Sequence, residues 1–195
     1  MFSLLIYNAV SDVAVNYFNW ILQEYFGLSN LVAIQVHQFS VATQLIILFV
    51  LRDFLHWNIH RLLHRVPFLW QFHKVHHSAK EMGFATHLRY HWMENVLYKS
   101  IEYIPLAMIG FGIDQFFIVH LFAFSVGHFN HANIKVPLGF LKYIFNNPQL
   151  HTWHHAKKLP QHHPYGMNYA ITLSIWDYLF KTAYQPNSGE HTELG

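Results

Sequence analysis

The 195-residue chain contains no cysteine. This absence excludes a disulfide framework, an iron–sulfur cluster and a thiolate zinc site. Any metal that the protein binds must therefore be held by nitrogen and oxygen ligands.

Charged residues are also scarce. Asp, Glu, Lys and Arg make up 11% of the chain and hydrophobic residues 53%, whereas soluble domains usually carry about 25% charge. This deficit favours a membrane protein. The net charge of +2 is too small to indicate a nucleic acid partner. The N-terminus lacks the basic segment and the cleavage site that are typical of a signal peptide.

Two hydrophobic stretches predict membrane helices within a single domain, residues 1–195. The first, residues 31–51, is long enough as a helix to cross a hydrocarbon core of about 30 Å. We expect this helix to continue to residue 66, because Pro67 would stop it. The second stretch, residues 96–126, contains a glycine-rich turn at 110–114 and predicts a helical hairpin that enters and leaves on one side.

The rest of the domain divides into four further segments. In the N-terminal segment, residues 13–26 are expected to form either an interfacial amphipathic helix or part of a poor first membrane span. The expected segments are the N-terminal residues 1–30, a histidine-rich stretch at 67–95, a C-terminal cap at 127–184 and a flexible tail at 185–195.

The distribution of positive charge predicts the orientation. No Lys or Arg precedes Arg52, and positive residues accumulate on the cytoplasmic side of membrane proteins. The histidine-rich segments lie among these cations, so they are expected to face the cytoplasm, with Asp114 near the opposite surface.

Ten of the 18 histidines fall in four clusters with helical spacing. Residues three or four positions apart share a helix face, and neutral imidazole is a good ligand for iron, zinc, copper or nickel. Ten ligands are too many for one tetrahedral zinc, which takes four, and they suit two metal ions side by side. The clusters are His60/His64, His73/His76/His77, His128/His131 and His151/His154/His155.

The other histidines have less specific interpretations. His37 and His120 are isolated in hydrophobic segments, where we expect hydrogen bonds between helices. His56 could compete with His64 for pairing with His60, and His87 is not expected to be a ligand. The carboxylates that could orient the imidazoles, or equally serve as surface charges or helix caps, are Asp53, Glu81, Glu94 and Asp177.

Longer motifs surround the clusters over about residues 50–184. They are DFLHWNIHRLLH (53–64), LWQFHKVHHS (69–78), LRYHWME (88–94), HANIKVP (131–137), PQLHTWHH (148–155), and NY (168–169) followed by SIWDYLF (174–180). In content and order they resemble the fatty acid hydroxylase / sterol desaturase superfamily of membrane di-iron oxygenases.

This resemblance implies an all-α integral membrane protein whose cytoplasmic helical cap holds two iron ions. It also implies O2 as co-substrate, a membrane lipid as substrate, and electrons from a separate reductase, since no flavin, haem or nicotinamide motif is present. The implied ligands are His60, His64, His73, His76, His77, His131, His151, His154 and His155, with His128 as a tenth. Further candidates, as ligands or as neighbours that orient them, are His91, Asp53, Glu94, Asn168 and Asp177.

The chain departs from the family pattern at several positions. Trp92 replaces the proline that usually follows His91, Lys181 stands where a glycine is common, and His56 stands where an aromatic residue is usual. Less hydrophobic sequence precedes the first histidine cluster than is usual in the family, which indicates a short form or a fragment.

Three functions are compatible with these features. The favoured one is a lipid hydroxylase, with desaturation as the variant reaction on a sterol, sphingolipid, fatty acyl chain, carotenoid or alkylglycerol. The second is a zinc-binding or metal-transporting membrane protein, against which stands the lack of a polar series lining a pore. The third is an inactive relative, against which stand the retained histidine clusters.

Overall fold

The computed structural model describes residues 36–186 and 192–195, together with positions 17, 20 and 23–25. The predicted all-α class is confirmed within these residues, which contain no strand and only one isolated bridge, between Ala156 and Leu194. The α-helices are α1 (Val41–Arg65), α2 (Pro67–His77), α3 (Phe84–His87), α4 (Trp92–Met108), α5 (Ile113–Asn130), α6 (Pro148–His154) and α7 (Ile175–Leu179), and 3-10 helices occur at Val36–Gln38 and Gly139–Tyr143.

Helix α1 is the longest described element, with 25 residues. The predicted start at residue 31 lies outside the described residues, and α1 itself begins at Val41, after Ser40, whose hydroxyl accepts a hydrogen bond from the Thr43 backbone N–H. It ends at Arg65, and Pro67 opens α2 at a position where its missing N–H costs no hydrogen bond.

Helices α4 and α5 are joined by a short turn. The turn occupies residues 109–112, and Gly110 has a φ of +101°, a conformation that L side chains rarely adopt. This is close to the glycine-rich turn that the sequence predicts. None of the described helices combines the length and the apolar character required to cross a bilayer, so the membrane crossing stays a prediction.

The chain divides into two compact units. The first comprises residues 1–52 and 99–120, and the second comprises residues 53–98 and 121–195. In the first unit, Arg52 forms a buried ion pair with Glu102. The predicted interhelical hydrogen bond of His120 is confirmed, because its Nδ1 lies 2.6 Å from the Tyr103 hydroxyl, which joins α5 to α4.

The second unit contains every histidine cluster. Its aromatic core joins Trp57 of α1 to Tyr169 and Ala170 of a C-terminal loop. The buried Asp177 carboxylate ties these parts together, since it accepts hydrogen bonds from Trp57 Nε1 (2.9 Å), the Tyr169 and Ala170 backbone N–H groups (3.0 and 2.9 Å) and the Thr182 hydroxyl (2.6 Å). Such saturation is expected of a buried carboxylate.

Part of the predicted flexible tail is paired. Leu194 forms the isolated bridge with Ala156, and the Lys157 backbone N–H donates to the Glu193 carbonyl at 2.8 Å. Residues 187–191 of this tail lie outside the described residues.

Candidate metal centre

Nine histidines of the second unit form two groups of converging ring nitrogens. Within each group, one nitrogen from every histidine lies within 4.8 Å of all the others. All nine residues are buried except His64, which is half-buried. The five-histidine group is His60, His64, His73, His77 and His154, and the four-histidine group is His76, His131, His151 and His155.

The two HxxHH motifs divide their histidines between the groups in opposite ways. In α2, His73 and His77 join the five-histidine group and His76 joins the other. At α6, His151 and His155 join the four-histidine group, whereas His154 joins the five-histidine group. Each motif thus supplies an i, i+4 pair to one group and a single ligand to the other, which holds the two groups side by side.

The start of α6 is fixed by its cap. The Asn147 side chain accepts hydrogen bonds from the backbone N–H groups of Gln149 and Leu150, both at 3.0 Å, and Pro148 occupies the first helical position. This arrangement satisfies donors that would otherwise be unpaired at a helix start. The cap therefore sets the position of the two α6 histidines.

Backbone carbonyls orient most of the imidazoles that have a described partner. His60 Nδ1 donates to the Tyr169 carbonyl at 2.6 Å, and His154 Nδ1 donates to the Met167 carbonyl at 2.8 Å. His131 and His76 make the corresponding bonds to the Gly127 and Arg89 carbonyls at 2.6 and 3.1 Å. With the proton held on Nδ1, each ring presents the lone pair of Nε2 towards its group.

His73 is oriented by a carboxylate instead. Its Nδ1 lies 2.9 Å from Oε1 of the buried Glu94. Burial raises the pKa of Glu94 to about 8. A cation bound to His73 would counter this effect, because nearby positive charge favours the ionised carboxylate.

The nitrogen contacts between rings provide the test of whether a metal fits. His60 Nε2 and His73 Nε2 are 3.0 Å apart, and His76 Nε2 and His131 Nε2 are 3.2 Å apart. In the His76–His131 contact both protons are engaged on Nδ1 by backbone carbonyls, so two lone pairs face each other, and the same holds for His60 and His73 once Glu94 is ionised. A cation between them converts this repulsion into coordination, and the donor set therefore fits a metal ion in each group.

Protonation and burial support the same interpretation. Burial lowers the pKa of every histidine in the two groups, to about 4 for His76 and about 3 for His154. The rings are therefore neutral at physiological pH, the state that binds metals. His64 Nε2 and both ring nitrogens of His155 are buried without a hydrogen-bond partner, and a metal in each group would engage one nitrogen of each ring.

The structure places two further candidates outside both groups. The half-buried His128 packs flat against Phe84, with ring centroids 4.2 Å apart, and against His87, also at 4.2 Å. His91 packs against Phe72, and its Nδ1 accepts the Met93 backbone N–H at 3.2 Å at the start of α4. Neither side chain contributes a nitrogen to the two groups.

Three polar candidates brace the loops that orient the ligands. Asn168 has a φ of +53° and donates from its side-chain amide to the Leu150 and Tyr184 carbonyls. It stands between Met167 and Tyr169, whose carbonyls hold His154 and His60.

The Asp177 carboxylate binds the same loop, because it accepts hydrogen bonds from backbone N–H groups of the loop. Asp53 accepts hydrogen bonds from the Leu173 backbone and from Trp176 Nε1.

His87 acquires a role that its sequence context does not indicate. Its ring stacks on His131 with centroids 4.8 Å apart, and it covers Gly127 so closely that a Cβ there would lie 2.5 Å from His87 Nε2. The carbonyls that orient the ligands are likewise absent from the sequence prediction, since backbone acceptors leave no signature in residue type.

Comparisons with known proteins cover the same region. A family model described as fatty acid hydroxylase matches residues 45–182. Ornithine lipid hydroxylase OlsE from Rhizobium tropici is 31% identical over 158 residues, which are 81% of this chain and 47% of that protein. Human alkylglycerol monooxygenase is 34% identical over 132 residues, 67% of this chain and 28% of the relative.

A more distant relative is the very-long-chain aldehyde decarbonylase GL1-10 from Oryza sativa subsp. japonica, which is 26% identical over 146 residues, 73% of this chain and 47% of that protein. The chain spans less than half the length of each of these relatives. No solved structure matches it.

Proposed function

The chain belongs to the fatty acid hydroxylase family, and on that premise we propose that it is an O2-dependent di-iron oxidoreductase that hydroxylates a membrane lipid. In this reaction one oxygen atom enters a C–H bond of the lipid and the other leaves as water, with electrons and protons supplied by a separate reductase. The names of the two most similar relatives quoted above favour hydroxylation over desaturation.

The observation that carries the proposal is the pair of interleaved histidine groups. His77 of one group and His155 of the other stack with ring centroids 4.4 Å apart, so two ions held by these groups would be neighbours. When bound, the irons would supply the activation of O2, which protein side chains cannot perform.

The five-histidine group supports iron over zinc, whereas the four-histidine group by itself matches either metal. A structural zinc site takes four ligands, whereas the first group offers five imidazoles. Non-haem iron accepts imidazole and commonly takes more than four ligands. All nine donors are neutral, which leaves the charge of the metals uncompensated and suits a strongly oxidising centre.

The protein side chains would hold and shield this centre. A bound metal would keep Glu94 ionised and so hold the proton of His73 on Nδ1, and the Tyr169 and Met167 backbone carbonyls do the same for His60 and His154. Eight of the nine histidines are buried, so water has little access to the reacting atoms. We further propose an integral membrane location with the centre on the cytoplasmic side, which the position of the Lys and Arg residues supports.

Lipid mass spectrometry under isotopically labelled O2 tests the function. The wild type, His154→Ala (five-histidine group) and His155→Ala (four-histidine group) would be expressed in one host, with His162→Ala, an exposed loop histidine, as the matched control. A lipid that gains one labelled oxygen with the wild type and the control, and with neither ligand variant, is expected.

Two outcomes would contradict the proposal. A lipid that loses two hydrogens without gaining label would make the protein a desaturase. The second outcome is a protein that takes up zinc but no iron after anaerobic reconstitution and leaves the host lipids unchanged. It would exclude the di-iron oxygenase and favour a zinc site.

A further inference from the structure

The second unit carries an exposed apolar surface that includes none of the metal-centre histidines. The 3-10 helix Gly139–Tyr143 buries none of its side chains, and Phe140 is 74% exposed. This helix packs on the start of α7, because the Ser174 hydroxyl donates to the Lys142 carbonyl at 2.6 Å and the Tyr143 and Tyr178 rings lie 4.8 Å apart. We define the apolar face by seven exposed residues. They belong to the 3-10 helix, to the two positions that follow it and to α7: Phe140, Leu141, Tyr143, Ile144, Phe145, Ile175 and Leu179.

Such a concentration of large apolar side chains is unusual on a surface that faces only water. Single exposed hydrophobic residues are normal, whereas a contiguous group marks contact with another molecule or with a membrane. Within the apolar face, Phe140, Leu141, Tyr143, Ile144 and Phe145 are near neighbours along the chain, and Leu179 is 64% exposed. These side chains therefore remain available for contact with another molecule or with a membrane.

Charge indicates what that contact is. Every Lys and Arg except Arg52 and Lys99 belongs to this unit, whereas its Asp53, Glu94 and Asp177 carboxylates are buried. Glu81 and Glu193 of the unit are exposed, and Glu193 pairs with Lys157, so the described surface of the unit keeps an excess of positive charge. The lysines that flank the apolar face in sequence are Lys135, Lys142 and Lys181.

We propose that the apolar face seats this unit on an anionic lipid bilayer. Phe, Leu and Ile side chains would enter the boundary between head groups and acyl chains, as in interfacial helices. Tyr143 and the flanking lysines would lie at head-group level, where aromatic hydroxyls and cations are favoured. A second copy of the chain is the poorer occupant, because it would bring its own lysines against these lysines.

The location of the apolar face links the membrane to the centre. Phe145 is followed by Asn146, whose backbone N–H donates to the Thr172 carbonyl at 2.9 Å, and by Asn147, which caps α6. Helix α6 carries His151 and His154. Seating the apolar face would thus fix the height of the metal centre above the bilayer, whichever lipid is oxidised.

The absence of native cysteine makes a direct test available. Nitroxide labels would be placed by Phe140→Cys and Leu179→Cys in the full metal-loaded protein, reconstituted in vesicles of phosphatidylcholine with phosphatidylglycerol. The control would be Gln161→Cys in an exposed loop. Electron paramagnetic resonance would measure the accessibility of each label to O2, which concentrates in lipid, and to a water-soluble nickel complex.

We expect the ratio of O2 to nickel accessibility to be severalfold higher at positions 140 and 179 than at position 161. Ratios at 140 and 179 equal to that at 161 would overturn the proposal. Labels shielded from both reagents would overturn it in favour of a protein partner, and dipolar broadening between labels in lipid-free detergent would overturn it in favour of a second copy.

The lysines provide an independent arm. Replacing Lys135, Lys142 and Lys181 by Gln is expected to lower the ratio at position 140 in anionic vesicles and to leave it unchanged in purely zwitterionic vesicles. The matched control replaces the exposed Lys74, Lys80 and Lys158 by Gln. An equal decrease of the accessibility ratio in the two triple variants would overturn the role assigned to Lys135, Lys142 and Lys181. None of these readouts depends on turnover, so failure here is distinguishable from failure of the proposed activity.

Discussion

His77 and His155 stack with an interplanar angle of 24° and a centroid separation of 4.4 Å, although they belong to different histidine groups. Each is the last residue of an HxxHH motif, and each is preceded by a histidine that serves the other group. The two groups are therefore built from the same two helical segments, and one histidine can be removed from either group without altering the other group's donor set.

This arrangement predicts that neighbouring substitutions in one motif affect different metals. His76→Ala is expected to weaken the ion in the four-histidine group and His77→Ala the ion in the five-histidine group, each lowering iron content by roughly one of two ions. Metal analysis with Mössbauer spectroscopy would distinguish the two losses. His162→Ala, in a loop, should retain both ions, and identical spectra for the two ligand variants would contradict the assignment.

The sequence predicted which histidines come together, but not how they divide. Helical spacing indicates that His73, His76 and His77 point the same way, whereas the structure sends His76 to a different group. The reason is that consecutive helical residues are rotated by about 100°. All three side chains lie close enough to one helix face to reach the metal centre. The rotation between His76 and His77 then places them in different groups.

Other features of the centre depend on contacts across long stretches of sequence. The carbonyls of Met167 and Tyr169 orient histidines from α6 and α1, and the His60 contact spans 109 positions in the chain. No local pattern encodes such a partner. For His128 a local pattern predicts a contact that the structure does not show. Its spacing from His131 fits a pair of ligands, but its ring stacks on Phe84.

Asp177 is predicted to stabilise the fold and, through the Tyr169 loop, the centre. In Asp177→Asn one oxygen becomes an amide N–H that faces a backbone donor, so we expect a loss of about 3 kcal/mol in the free energy of unfolding. Thermal unfolding of the detergent-solubilised protein would measure it. Asp114→Asn, at an exposed position, is the matched control, and an equal effect of both changes would show that the hydrogen-bond network of Asp177 is unimportant.

Gly127 is predicted to be required by His87 rather than by its own backbone conformation. A Cβ at this position would lie 2.5 Å from His87 Nε2, so Gly127→Ala should cost about 1–3 kcal/mol through overpacking. It should also displace the carbonyl that orients His131. The double variant Gly127→Ala/His87→Ala removes the clash, and thermal unfolding with iron analysis should show partial recovery relative to the two single changes. Strictly additive losses would contradict the coupling.

Glu94 is predicted to raise the metal affinity of the five-histidine group through His73. Glu94→Ala leaves His73 Nδ1 without its acceptor at 2.9 Å, and loss of such a partner typically weakens metal binding by about 10–100-fold. Glu94→Gln keeps an oxygen acceptor and should lose less. Competition with a chelator would rank the three proteins, with Glu81→Gln, at an exposed carboxylate, as the control. Equal affinities for the Gln and Ala variants would show that the negative charge, and not the orientation of the imidazole, is what Glu94 contributes.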